Sequence, residues 1–310
     1  MDIHTLRAAL NGQPFGHTID YHSSVPSTMP IARALAEDAA DPAQVSGAVV
    51  VADEQTAGRG RLDRRWETPP GRALLVSLVV AGAHLPERPA QLPMMAGLAV
   101  LDAVTQAVTL HEAQADRLRY FRLKWPNDLV ALPHPVTQAV SLRQTVSLPD
   151  SPVKIAGLLA ESSLDRRGIR YAVLGIGINV NQRSDELPTP RPGGLPPASL
   201  FTLFGKEFGR EELLIALCRS FSALLAGPDR PTAEEIHARW QAALINLGRV
   251  VVVHSGDGAW RGRAVGTDVD GALLVEDETG QRVAVAAGDV SVEESAGANN
   301  TPDQTSNSRR

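Results

Sequence analysis

Short apolar runs separated by turns and polar loops fill much of the first 180 residues, and they constrain the fold most strongly. Residues 47–52, 73–80 and 171–180 are rich in Val, Ile, Leu and Ala, with glycine, arginine or polar residues at their ends. Runs of this length are typical of buried strands. Residues 119–132 and 153–161 read as two further extended segments. The middle of the chain is therefore predicted to be dominated by β-strands.

Helical spacing interrupts these runs at four places. Ser27 leads through a proline into the Ala- and Leu-rich residues 31–40, as a capped helix start with proline in its first turn does. Apolar residues recur at steps of three and four in residues 93–110, which predicts an amphipathic helix covering one face of a sheet. Residues 211–226 and 232–247 carry the same signal.

The character of the chain changes near residue 249. Short alternating runs follow, with Asp270-Gly271 as a hairpin signal, and they predict a small β-barrel. We therefore expect an α+β fold, a mixed β-sheet flanked by helices, with a small C-terminal β-barrel. The predicted units are a catalytic domain over residues 1–247, the barrel over 248–294 and a disordered polar tail over 295–310.

Composition excludes several classes of protein. The 310 residues carry a formal net charge of −5, so no overall basic field draws the chain to nucleic acid or anionic membranes. A cationic site has to be local. The single cysteine, Cys218, excludes an intramolecular disulfide framework. No leader is apparent and the apolar stretches are interrupted before the length of a membrane span, so we expect a soluble, cytoplasmic protein.

A Gly/Arg loop, residues 58–66, lies between two predicted strands. Backbone amides freed by glycine and the forked donors of arginine suit a phosphate or a carboxylate. A solvated basic loop has the same composition, so composition alone does not decide. The loop contains two glycines and four arginines: Gly58, Arg59, Gly60, Arg61, Arg64 and Arg65.

The familiar nucleotide-binding motifs are incomplete. Two segments begin the G-x-G-x-x-G pattern, at Gly58 and at Gly175, but the third glycine is replaced by Asp63 in one and Val180 in the other. No complete P-loop pattern is present in the sequence. Any nucleotide is therefore expected to bind by a less common route.

Two further segments combine lysine with polar residues at strand ends. The run Lys124-Trp125-Pro126-Asn127-Asp128 aims Asn and Asp at one place if it forms a strand-to-turn junction, but a surface β-turn has the same pattern. Residues 154–157, Lys-Ile-Ala-Gly, open the next strand. A lone lysine at a strand start is usually solvated, so these segments indicate a functional site only when they are considered together.

In this order the motifs resemble the biotin protein ligase family, in its monofunctional form without an N-terminal DNA-binding domain. The resemblance runs from Ser27-Thr28 to Glu293. It implies a fold similar to class II synthetases and ATP-dependent attachment of biotin to a lysine. Four segments carry it: the Gly-Arg-Gly-Arg loop with Arg-x-Trp at 58–66, Lys-Trp-Pro-Asn-Asp at 124–128, Lys-x-Ala-Gly at 154–157, and Gly-x-Gly-Ile-Asn-x-Asn at 175–181.

The resemblance also implies site residues. The biotin set is Ser27, Thr28, Gln55, Gly58, Arg59, Lys154 and Gly157. The set for ATP and the adenylate is Arg61, Arg64, Trp66, Asn127, Lys154 and Asn179. The catalytic set is Lys154, Arg61, Arg64 and Asp128. Fixed cations suit this reaction because a carboxylate attacking ATP brings like charges together.

Cofactors and partners follow from the same resemblance. Mg²⁺ accompanies ATP, bound mainly by phosphates and by Asp128. The acceptor is a lysine of a biotin carboxyl carrier protein. Nucleic acid is not expected as a partner, since only a short segment precedes Ser27, and the interrupted apolar stretches predict no membrane partner. A homodimer is left open. Two alternatives remain: a lipoate or octanoate ligase or transferase of the same fold, and a non-catalytic biotin-binding protein.

Some positions depart from the family pattern. Met29 stands where the family has Asn, Asp63 where it commonly has Gly, and Thr68 where it has Ser. These changes bear on substrate affinity more than on reaction class. Residues 132–152 form a longer connection than usual. The Gly/Arg loop and residues 183–197 are expected to order over the ligands and exclude water from the adenylate.

Overall fold

The structure, a computed structural model, describes residues 1–111, 120–133, 151–166, 168–191, 193–255 and 258–293. The predicted disorder of residues 295–310 and most of the long connection at 132–152 lie outside the described residues. The larger sheet has seven strands in the order β1-β2-β3-β7-β6-β5-β4. Its strands are β1 Ile19–His22, β2 Val49–Ala52, β3 Ala73–Ala81, β4 Phe121–Lys124, β5 Asp128–Ala131, β6 Val153–Asp165 and β7 Gly168–Asn179.

The mixed sheet predicted from the sequence is confirmed. β1 pairs with β2 in parallel, and the other neighbours pair antiparallel. The segment predicted as one extended run over 119–132 is a tight hairpin, in which β4 and β5 are joined by Trp125, Pro126 and Asn127. The peptide bond before Pro126 is cis.

Six α-helices surround this sheet in the described residues. They are α1 Ile3–Ala9, α2 Thr28–Asp38, α3 Leu92–His111, α4 Leu200–Phe204, α5 Arg210–Leu225 and α6 Ala233–Ala243. Thr232 caps α6 through a reciprocal bond with Glu235, as the sequence predicts. Ser27 takes the predicted N-cap position of α2, but its side chain makes no capping hydrogen bond. The opening helix was not predicted, because its seven residues show no sustained periodicity and its best signal is the Asp2 cap.

One face of the sheet is covered by α3 and α5, which pack against each other in the main core. The segment Pro89–Leu110 is long and apolar enough to cross a membrane, contrary to the sequence expectation, but 67% of its most apolar window is buried inside the protein. Such burial is equally typical of the core helix of a globular protein.

The other face of the sheet is divided. Helix α2 packs Ala32 and Ala36 against one half, where it meets Val79 and Val173, and its first-turn residue Met29 lies at the border of that half. We call this the covered half. The other half carries three glycines on β6 and β7 and faces a cavity; we call it the open half, defined by Gly157, Gly175 and Gly177.

The C-terminal region forms a separate antiparallel sheet in the order β11-β10-β9-β8-β12. The turn at Asp270-Gly271 lies between β9 and β10, as predicted. The expected closed barrel is wrong for the described residues, where β11 and β12 are the two edges and do not pair. The strands are β8 Val250–Ser255, β9 Gly258–Thr267, β10 Leu273–Glu276, β11 Arg282–Val285 and β12 Asp289–Val292.

Candidate functional site

A cavity of about 1150 Å³ lies over the open half of the sheet. Its floor is formed by β6 and β7, and its rim by the Gly/Arg loop, residues 187–191, 193–195 and 197, and β12 of the C-terminal sheet. The glycines on β6 and β7 make the floor possible because a side chain there would fill the space. Of the residues predicted for the site, all but Gly58 line this cavity.

Large side chains lie directly on the glycine floor. A Cβ on Gly177 would lie 2.6 Å from Cε2 of Trp66, and one on Gly157 would lie 2.9 Å from its Cζ3. A Cβ on Gly175 would lie 2.7 Å from Sδ of Met29. Trp66 and Met29 thus take the space that three missing side chains leave, which gives Met29 a packing role at this departure from the family pattern.

Positive charge is concentrated around this cavity although the chain as a whole is acidic. Seven arginine and lysine side chains line it, against three carboxylates. The low-dielectric walls of a cleft strengthen the field of such a cluster. The local cationic site required by the sequence analysis is therefore present. The cations are Arg59, Arg61, Arg64, Arg65, Lys124, Lys154 and Arg191, and the carboxylates are Glu67, Asp128 and Asp289.

Gln55 is fixed by the start of α2. The backbone N–H and the hydroxyl of Thr28 both donate to its Oε1, at 2.7 and 3.0 Å. The Thr28 hydroxyl also lies 2.7 Å from that of Ser77 on β3. Because the carbonyl end of Gln55 is held in this way, its amide orientation is set, and Ser27 and Thr28 are both buried beside it. Ser77 was not identified from the sequence, since it lies inside an apolar strand.

Lys154 lies at the centre of the cationic cluster. Its Nζ is 2.7 Å from Oδ1 of Asp128 and 5.6 Å from the ring centre of Trp66. Its backbone is bonded on both sides to the loop that follows β7: its N–H donates to the carbonyl of Pro196 at 2.8 Å, and its carbonyl accepts from Ala198 at 2.9 Å. Lys154 is therefore not the solvated lysine usual at the start of a strand.

Arg61 and Arg64 reach from the Gly/Arg loop to the C-terminal sheet. Arg61 donates to Oδ1 of Asn127 at 3.5 Å and to the carbonyl of Gly288 at 3.3 Å. Arg64 donates to Oδ1 of Asp289 at 3.0 Å and ion-pairs with its second oxygen. Burial lowers the pKa of Arg61, although nearby Asp128 acts in the opposite direction.

Residues of the Lys-Trp-Pro-Asn-Asp segment make different contacts, some with the C-terminal sheet and some in the cavity wall. Trp125 is buried and joins the hairpin to the C-terminal sheet by donating its ring N–H to the carbonyl of Gly271 at 2.9 Å. Lys124 donates to the carbonyl of Val290 at 2.6 Å, and burial lowers its pKa. Asn127 donates to the carbonyl of Leu158 at 2.7 Å, which fixes its position on the cavity wall.

The side chain of Asn179, which is predicted to contact adenine, is held by hydrogen bonds at both ends of its amide. Its amide nitrogen donates to the carbonyl of Ala198 at 3.0 Å, and its carbonyl accepts from Gln182 at 2.8 Å. Gln182 also donates to the hydroxyl of Thr68 at 3.1 Å. Thr68 therefore keeps the hydroxyl that the usual serine supplies, and this departure leaves the network intact.

The Gly/Arg loop is a narrow hairpin, in which Arg59 pairs with Arg65. Gly58 lies behind the cavity wall, where a Cβ would meet the carbonyl of Trp66 at 2.4 Å. Leu62 and Asp63 form the tip, with φ of 54° and 57°. This left-handed region favours glycine and tolerates Asp, which accounts for both the usual residue at position 63 and its replacement here.

The C-terminal sheet contributes more than the sequence suggested. Asp289, Val290, Ser291 and His254 all line the cavity. The edge strand β12 bonds Arg64 and Lys124, and Gly288 just before it bonds Arg61, by the contacts given above. Sequence analysis found no independent chemistry in this region. The only local signal was a carboxylate after glycine at the start of a short strand, which is too common to be informative.

Comparison with known proteins is consistent with this geometry. Residues 22–179 match the biotin/lipoate A/B protein ligase family, and residues 247–292 match the biotin protein ligase C-terminal domain. The first match spans half of the chain. This protein belongs to the biotin/lipoate A/B protein ligase family.

Individual relatives agree with the family assignment. The biotin–[acetyl-CoA-carboxylase] ligase of Paracoccus denitrificans is 32% identical over 79% of this chain and 91% of its own length. The Mycobacterium tuberculosis ligase of the same name is 31% identical over 81% of each chain. The solved structure of the Aquifex aeolicus biotin protein ligase with biotin and ATP is 27% identical, with a TM-score of 0.63, over 90% of this chain and 99% of that one.

The described residues hold no group of three or more His, Cys, Asp or Glu side chains arranged for a metal ion. Asp128 is the carboxylate beside Lys154 in the cavity. One carboxylate is compatible with Mg²⁺, which usually keeps several waters and binds through one or two carboxylates together with substrate phosphates. The site therefore fits a magnesium ion carried by ATP better than a resident metal.

Proposed function

We propose that this protein is an ATP-dependent biotin protein ligase. It joins the biotin carboxylate to ATP, releases pyrophosphate, and transfers biotin from the adenylate to a lysine of a biotin carboxyl carrier protein. The relatives named as biotin–[acetyl-CoA-carboxylase] ligases support this acceptor class. Because the reaction consumes ATP, we place it in the cytoplasm.

One observation carries the proposal. Arg61, Arg64 and Lys154 come from two distant segments of the chain and line the same cavity, together with Gln55 and Asn179. A non-catalytic biotin-binding protein needs an apolar floor and the polar group of Gln55, but it has no need for three cations beside them. This arrangement favours an enzyme that handles a carboxylate and a polyphosphate together.

The first step follows from the arrangement of charge. An oxygen of the biotin carboxylate attacks the α-phosphorus of ATP, and the bond to the departing pyrophosphate breaks. Lys154 holds the carboxylate and the α-phosphate oxygens, while Arg61 and Arg64 hold the phosphates. Fixed donors of this kind stabilise the charge that builds up in the transition state without reorganising during the reaction. Met29 and the glycine floor provide an apolar surface for the biotin ring system.

Asp128 serves both half-reactions in this proposal. With the phosphates of ATP it would hold Mg²⁺, which would neutralise phosphate charge. In the second step the neutral amine of the acceptor lysine attacks the acyl carbon, an amide forms and AMP leaves. Asp128 orients that amine and takes up a proton from it, while its contact with Lys154 keeps the carboxylate facing the cavity.

The rival enzymes of the same fold are distinguished by their chemistry. An octanoyl transferase uses a cysteine nucleophile, but Cys218 is fully buried in α5, and burial raises its pKa to about 12. A thiol in that state is neither accessible nor ionised. Lipoate ligation needs no cysteine and therefore has to be tested directly.

Exchange of labelled pyrophosphate into ATP, measured in parallel with biotin, lipoate and octanoate, tests the proposal. We expect exchange that depends on biotin, followed by transfer of biotin to a purified carrier domain. Exchange with lipoate alone would show that lipoate, and not biotin, is the substrate. Biotin binding without any exchange would support a non-catalytic biotin-binding protein.

A further inference from the structure

A carboxylate outside the cavity, Glu161 on β6, joins three parts of the protein. Its Oε1 lies 2.9 Å from Nη2 of Arg59 in the Gly/Arg loop. Its Oε2 ion-pairs with Arg33 of α2. Glu161 is 25% exposed, against 44% for Arg33 and 49% for Arg59, so the carboxylate is more shielded than either cation.

The position of Glu161 on the strand explains how it reaches both partners. Side chains alternate along a strand, so Gly157, Leu159 and Glu161 lie on the same face of β6. Gly157 and Leu159 line the cavity, and Glu161 follows where α2 begins to cover the sheet. It therefore stands at the border between the open and covered halves.

Both partners of Glu161 belong to segments that build the predicted biotin site. Helix α2 begins with Thr28, which fixes Gln55. Arg59 begins the hairpin that carries Arg61, Arg64 and Trp66. Within the part of the chain that the structure describes, Glu161 is the carboxylate found within ion-pair distance of Arg59. A loop with glycines and a left-handed tip costs conformational entropy to order, so an anchor at its first arginine has a large effect on its preorganisation.

We propose that Glu161 is a positioning residue for biotin: through Arg59 it anchors the first turn of the Gly/Arg loop against α2, so that less of the loop has to be ordered when the ligand binds. The inference rests on the proposed function. It assigns Glu161 no contact with substrate. It predicts that the charge of Glu161 acts on biotin affinity and on loop order, and not on the chemical step.

The test compares Glu161→Gln with wild-type protein. The amide keeps the size of the side chain and removes its charge. We expect the KM for biotin to rise about two- to fivefold, as for loss of a partly exposed ion pair, with kcat unchanged. Hydrogen–deuterium exchange should become faster in the peptide that covers residues 58–66. Glu276→Gln is the matched control, because Glu276 pairs with Arg282 far from the cavity.

A double-mutant cycle with Arg59→Gln separates positioning from a general loss of stability. If Glu161 acts through Arg59, adding Glu161→Gln to Arg59→Gln changes the biotin KM no further. A biotin KM equal to that of the control, or a full effect of Glu161→Gln in the Arg59→Gln background, overturns the inference. Failure of the proposed function gives a different result from failure of this inference. In that case wild-type protein shows no biotin-dependent exchange, while hydrogen–deuterium exchange still reports whether Glu161 orders the loop.

Discussion

The covered and open halves of one sheet face differ by a few side chains and have different roles. On β7, Val173 is buried under α2, whereas Gly175 and Gly177 on the same face lie under Met29 and Trp66. Beside the covered half the protein has an apolar core. Over the open half it has a cavity lined by cations. The removal of side chains from two strands thus converts a packing surface into a binding surface.

Because of this difference, substitutions in the covered half should change mainly the stability of the protein, and substitutions in the open half mainly its activity. A side chain lost from the covered half leaves a void in a packed core and lowers the free energy of unfolding. A side chain added to the open half takes space from Trp66 and the ligand. Predictions that separate these two effects follow, in order of decreasing size.

The largest effect is expected from Lys154→Ala, which removes the central cation of the open half. Adenylate formation should fall by roughly a hundred- to a thousandfold, as for the loss of one preorganised donor, while the fold is retained. Pyrophosphate exchange measures the first quantity and thermal unfolding the second. Lys206→Ala, outside the cavity, is the matched control. Unchanged turnover in Lys154→Ala would remove Lys154 from the mechanism.

A pair of substitutions on β7 tests the comparison itself. Gly177→Ala places a methyl group 2.6 Å from Trp66, which must then move, so we expect the KM for ATP, whose adenine Trp66 is predicted to contact, to rise about tenfold. Val173→Ala should lower the free energy of unfolding by about 2 kcal/mol and leave the KM for ATP unchanged. Urea unfolding and steady-state kinetics measure both. The division into halves is contradicted if the two variants show the same profile.

The smallest effect concerns the rim contributed by the C-terminal sheet. Asp289→Asn weakens the pairing with Arg64, whose side chain is 32% exposed, so we expect the KM for ATP to rise about two- to fivefold and that for biotin to stay constant. Asp102→Asn, which breaks the remote pair with Arg239, is the control. A lower KM for ATP would mean that Asp289 competes with phosphate.

The sequence predicted the elements whose signals are local. Helix α3, β3 and the start of α2 after Ser27 follow from spacing and composition, and the ends of α3 and β3 lie within a residue of the prediction. Helix α1, β1 and β12 were missed, because four to seven residues carry too little periodicity to be recognised. The barrel was predicted from alternating runs, but alternation does not determine whether the edges of a sheet meet.

The site was predictable to the extent that its residues lie in recognisable motifs. Gln55, Lys154 and Asn179 line one cavity, as the resemblance implied, although their individual roles remain predictions. Glu161 and Asp289 could not be found in this way. Their positions depend on the pairing of distant strands and on the docking of the C-terminal sheet, which no local pattern encodes.

The two backbone bonds of Lys154 have a consequence for redesign of the protein. Since its N–H and carbonyl are tied to Pro196 and Ala198, an added or deleted residue at that point would shift the strand register and carry the ammonium group away from the cavity. A change in loop length that keeps both bonds therefore has to be made upstream of Pro196.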